Sequence, residues 1–138
     1  MPITTASDAA PDSAATPREV VAAFLTSLEA RDLPAAARRL APGATMTFPG
    51  GQSFVDLASL VAWSKGRYRA VRKTYERSEE LPVDARGITV VYCRGTLSGE
   101  WLDGAAFAGI RFIDRFEVDD AGRIVDQQVW NDLGEARR

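Results

Sequence analysis

Apolar residues recur at helical spacing over the first third of the chain and at every second position over much of the second half. Thr16-Pro17-Arg18-Glu19 combines a threonine N-cap, a proline in the first turn and a glutamate that completes a capping box. The helix it opens carries Val20, Val21, Phe24, Leu25 and Leu28 on one face. Asp32 caps a second helix expected over 33–40, with Ala36, Ala37 and Leu40 buried and Pro42-Gly43 as its stop. A short strand over 44–48 ends in the Pro49-Gly50-Gly51 loop. Ser53 is expected to cap a third helix running through Gly66, with Leu57, Leu60, Val61, Tyr68 and Val71 on one face and Trp63 and Arg67 on its flank. From Tyr75 the period becomes two, and strands are expected over 75–83, 88–97 with a possible extension to 101, 107–118 and 123–132. Asp103-Gly104 and Asp119-Asp120-Ala121-Gly122 join the last three as hairpins. Helices first and hairpin-linked strands second make an α+β fold, with the helices on one face of a curved antiparallel sheet that leaves a conical pocket. Residues 1–15, rich in Ala, Ser, Thr, Asp and Pro, are expected to form a disordered tail, and 16–138 a single domain.

Composition narrows the chemistry. The 138 residues include no histidine and one cysteine, Cys93, which excludes Ser/His/Asp and Cys/His nucleophilic sites, histidine bases, zinc clusters and an internal disulfide. Acid-base work then falls to carboxylates, tyrosines and lysines, and neither a metal nor a cofactor is expected. A formal charge of −2 argues against a nucleic-acid partner. No run is long and apolar enough for a membrane span or a secretory signal, so a cytoplasmic protein is expected.

Strand alternation singles out one carboxylate. Ile110, Phe112, Asp114, Phe116 and Val118 share a face, with Arg111, Ile113, Arg115 and Glu117 opposite. A charge set in an apolar row must be paired, hydrogen-bonded or neutralised. Asp114 is therefore either a general acid or base whose pKa burial has raised, or a structural anchor held by Arg94 or a tyrosine. On the preceding strand Ile88, Val90, Tyr92, Arg94 and Thr96 share a face. If it points inward, Arg94 and Tyr92 reach the Asp114 cavity and stabilise negative charge there; the alternative for Arg94 is a salt bridge that closes the cavity. The last strand leaves its inward face open. Trp130 belongs either to the cavity mouth or to a dimer interface, Gln128 is a polar ligand candidate, and Asp126 reads as solvent-exposed. Trp63, Tyr68, Trp101, Phe107 and Trp130 offer walls for a flat apolar ligand. Lys65, Arg67, Arg69, Arg72, Lys73 and Arg77 read as a solvated helix surface, the alternative being a surface for RNA or an anionic partner.

The chain resembles the nuclear transport factor 2-like superfamily, and within it the SnoaL-like branch. The resemblance is carried by Phe24-Leu25-Thr26-Ser27-Leu28, Ala30-Arg31-Asp32-Leu33, the loop before Met46-Thr47-Phe48, Asp114-Arg115-Phe116-Glu117-Val118, Gly122-Arg123-Ile124-Val125 and Val129-Trp130-Asn131-Asp132. It implies a cone-shaped domain that dimerises through its outer sheet face. It also implies company with ketosteroid isomerase, polyketide cyclases, limonene epoxide hydrolase, scytalone dehydratase and non-catalytic adaptors. The lack of histidine speaks against an Asp/His mechanism and leaves a carboxylate one, as in the isomerase. Two readings follow. One is an isomerase, cyclase, dehydratase or epoxide hydrolase acting on a small apolar or aromatic molecule through Asp114, Arg94 and Tyr92. The other is a non-catalytic binding or interaction module.

Overall fold

The computed structural model describes residues 15–136. The tail expected over 1–15 lies outside the described residues except for Ala15, which packs against the core. Thr16 opens helix α1 (Pro17–Glu29) with both halves of the capping box formed: its hydroxyl accepts from the Glu19 amide, and the Glu19 carboxylate accepts from the Thr16 amide. Val20, Val21, Phe24 and Leu25 form the buried stripe of α1.

Helix α2 (Leu33–Ala37) starts at the expected Asp32 cap but is shorter than expected. Strand β1 (Leu40–Phe48) captures Leu40 by pairing it with Ile124, and the Ile124 amide donates to the Arg39 carbonyl. Pro42 and Gly43 therefore sit in a register shift within the strand rather than at a helix stop. The helix expected from Ser53 is also corrected. Ser53 lies in strand β2 (Gln52–Phe54) opposite Thr47, and Asp56 caps helix α3 (Leu57–Lys65) by accepting from the Ser59 amide. Gly66 ends α3, and Tyr68 and Val71 belong to strand β3 (Tyr68–Glu80), where Tyr68 faces Trp101 across the ladder.

Strands β4 (Thr89–Trp101), β5 (Ala106–Val118) and β6 (Ile124–Asn131) follow, then a final turn of helix α4 (Leu133–Ala136). The strand order is β2-β1-β6-β5-β4-β3, with β1 and β6 parallel and the other pairs antiparallel, in a sheet that curls without closing. Helix α1 lies across the inner face, and Phe24 meets Phe116 edge to face at 6.1 Å. Leu97, Trp101, Phe107, Phe112 and Leu133 form a second cluster toward the other end of the long strands. The result is an α+β cone. Among the described residues no helix is long and apolar enough to cross a membrane.

Candidate functional site

Cross-strand register decides which side chains share the interior. Cys93 stands directly opposite Asp114, and paired residues project to the same face of a sheet. Asp114 is fully buried among Phe112, Phe116 and Val118, so Cys93, Gly95, Leu97 and Gly99 make the inward row of β4. Tyr92 and Arg94, opposite Arg115 and Ile113, consequently project outward, and the expectation that they reach the Asp114 cavity is corrected. Arg94 instead donates to Glu76 at 3.2 Å on the outer face.

The cation beside Asp114 is Lys73. Its Nζ donates to Asp114 Oδ2 at 2.5 Å and lies 4.9 Å from the center of the Phe112 ring. Lys73 belongs to the basic run expected on a helix, but in β3 it alternates with Val71 and Tyr75 and so faces inward. Asp114 Oδ1 has no partner among the described residues. Burial pushes the Asp114 pKa above its usual range, against the lowering effect of the Lys73 charge and hydrogen bond. Tyr75, 41% exposed, packs edge-on to Phe112 at 5.6 Å, and the desolvation of its inner part, followed by the charge of Asp114, raises its phenol above the usual range. At neutral pH this phenol is a hydrogen-bond donor.

A one-residue bulge resolves β6. Val118 pairs with Ile124 and Glu117 with Asp126, so Val125 is extra and the alternation flips beyond it. Gln127, Val129 and Asn131 therefore turn inward with Ile124. Gln128 and Trp130, two of the ligand candidates, turn outward. Gln128 donates to Asp126, and Trp130 is 49% exposed beside Ile113. Gln127 is 1% exposed, and its Oε1 has no partner among the described residues.

These inward side chains enclose a cavity of about 130 Å³ between the sheet and helices α1 and α3. Leu25, Leu60, Val71, Leu97 and Val129 contribute apolar wall, Trp63 and Tyr68 contribute rings, and Lys73, Tyr75 and Gln127 contribute polar groups. Trp101 packs behind that wall, 4.8 Å from Phe107 and 5.6 Å from Tyr68. Of the residues singled out in the sequence, Trp63 and Tyr68 line the cavity. Asp114 lies behind Lys73, while Arg94, Tyr92, Trp130 and Gln128 do not enter. Lys73, Tyr75 and Gln127 escaped the sequence reading, although Val71, Lys73 and Tyr75 already show period two. Among the described residues no three metal-ligating side chains come together.

No protein-family model and no curated protein matches the sequence. Solved structures do match its shape. An NTF2-like protein of unknown function from Burkholderia pseudomallei superposes with a TM-score of 0.73 at 17% identity, covering 88% of this chain and 95% of that one. TerC, co-crystallized with polyporic acid, gives 0.70 at 16% identity over 88% and 96% of the two chains. IdmH from Streptomyces antibioticus, a candidate polyketide cyclase, gives 0.68 at 17% identity over 87% and 94%. Helices laid across the inner face of an open, curled six-stranded sheet, together with these superpositions, establish the nuclear transport factor 2-like cone fold in this chain.

Proposed function

We propose that the cone cavity binds a small, largely apolar molecule and that the Lys73/Asp114 pair performs polar chemistry on it. The carrying observation is a fully buried carboxylate tied to a lysine that lines a largely apolar cavity. Lys73 and the protonated Tyr75 phenol supply donors for an oxygen that gathers negative charge, and the partial burial of Lys73 strengthens its contribution. Asp114 acts through Lys73, holding the ammonium in place, and Gln127 offers its amide to a second polar group. That set suits proton transfer or ring closure beside a carbonyl, dehydration, or opening of an epoxide, because each develops charge on oxygen. The fold is shared with TerC, whose co-crystallization with polyporic acid is consistent with a small-molecule site of this kind.

Screening ketones, epoxides and polyketide-like aromatics by thermal shift should find compounds that raise the melting temperature. For a compound that is also turned over, Asp114→Asn, which frees the Lys73 donor from its place, should cut kcat by about 100-fold. Unchanged turnover would remove Asp114 from the chemistry. A second reading, a non-catalytic module, is favored by the position of Asp114 behind Lys73 rather than on the wall. It expects Asp114→Asn to lower stability with no compound ever turned over.

The outer face supports a homodimer. Trp130 and Ile113 are register partners, both exposed at the center of that face, with the Arg94/Glu76 and Arg111/Asp132 ion pairs beside them. Trp130→Glu should convert a dimer into monomer in analytical ultracentrifugation, and a monomeric parent protein would refute the interface. A single, buried thiol fits the reducing cytoplasm in which we place the chain.

A further inference from the structure

The mouth of the cavity differs in charge from its interior. Glu29 and Arg31, at the end of α1 and just beyond it, and Arg67, between α3 and β3, all line it. Arg67 lies 4.7 Å from the center of the Trp63 ring and 5.6 Å from that of Tyr68, and its Nε donates to the Tyr68 hydroxyl at 3.2 Å. These contacts leave its terminal nitrogens with no carboxylate among the described residues. Arg31 donates from one nitrogen to the Leu28 carbonyl at 2.7 Å and likewise meets no carboxylate there. It is also the only non-glycine residue described with a positive φ, at 60°, a conformation that residues bearing a β-carbon enter at a cost. Arg77, Arg86, Arg94, Arg111 and Arg115 each hold a carboxylate, and among the remaining described arginines Arg31 and Arg67 are the two that line the cavity.

Two guanidiniums thus share the lining with one carboxylate, Glu29, and neither is paired with it, on a chain whose formal charge is −2. Deeper in, Lys73 is already neutralised by Asp114. We propose that the ligand is an acid, an apolar ring-bearing molecule whose carboxylate docks at the mouth on Arg67 and Arg31 while its body extends toward Lys73 and Gln127. Guanidinium forks match a planar carboxylate, and the Glu29 carboxylate in the same lining disfavors a doubly charged phosphate. This inference rests on the reading of the cavity as the ligand site.

Calorimetric titration of the full chain with 2-naphthoate and with 2-naphthamide, at pH 7 and low salt, separates the two. The acid should bind about tenfold more tightly than the amide, reflecting charge-assisted hydrogen bonds. Arg67→Gln should bring the two affinities together, and added salt should narrow the gap. Arg31→Gly, which accepts the positive φ, should reduce the preference without lowering the melting temperature. Equal affinities for acid and amide in the parent chain would overturn the acid proposal and leave the cavity reading standing. A preference that survives Arg67→Gln would overturn the assignment to that residue, and binding of neither probe would overturn both the cavity reading and the acid proposal.

Discussion

Lys73→Met is expected to lower stability by about 3 kcal/mol at neutral pH and by much less near pH 5. The substitution keeps most of the side-chain volume but removes the cation that holds Asp114 Oδ2, and Asp114 is 0% exposed with Oδ1 already unpartnered. Both influences that lower the Asp114 pKa come from Lys73, so only desolvation remains in the variant. The sign of the pH effect follows. A carboxyl whose folded pKa lies above its ordinary 3.8 binds its proton more tightly when folded. Its stabilising contribution is complete below the unfolded pKa and is lost as pH rises through the folded one. The parent protein should show this loss in modest form, Lys73→Met in steeper form and over a window shifted upward, and Asp114→Asn should abolish it. Replacing both partners, Lys73→Met with Asp114→Leu, removes the buried charge altogether and should restore stability to near the parent value or above. Urea unfolding at pH 5 and pH 7 across these variants measures all four cases. A Lys73→Met protein with parental stability at both values would show that the pair does not govern this part of the fold.

That Asp114 faces inward was legible because β5 alternates without interruption from Ile110 to Val118. The neighboring strand misled for a physical reason: its inward row includes Gly95 and Gly99, which add no hydrophobicity, while Val90 and Thr96 lend apolar character to the outward row. In β6 the face flips at Val125, and a single extra residue leaves no composition signal to mark it. The start of β3 was hidden because Leu57, Leu60, Val61, Tyr68 and Val71 fall at helical spacing. Only Gly66 as the end of α3, and the pairing of Tyr68 with Trp101, turn the chain to strand. Lys73, the residue that most changes the chemistry, was hidden by that same error. Charge along a helix disperses over several faces, whereas in a strand every second side chain points one way.

Gly95→Ala should cost about 2–3 kcal/mol and carry the polar end of the cavity with it. A β-carbon at position 95 would overlap the Thr74 carbonyl group and crowd the Glu76 amide nitrogen at 3.1 Å. These are backbone atoms of β3, so no rotamer change relieves the contact, and the two strands must separate locally. They meet there at the irregularity where Tyr75 pairs with Gly95 and Arg77 with Arg94, which leaves Glu76 unpaired. β3 is an edge strand that also carries Lys73 and Tyr75, so lifting it weakens the hold on Asp114 and moves both donors. Gly134→Ala serves as the control, because a β-carbon there meets nothing within 4 Å and alanine favors the helix. Thermal denaturation should rank Gly95→Ala well below the parent and Gly134→Ala at or slightly above it. The pH dependence of stability attributed to Asp114 should also change in Gly95→Ala. If the variant kept both parental stability and parental pH dependence, close packing of β3 onto Gly95 could not be what seats Lys73 against Asp114.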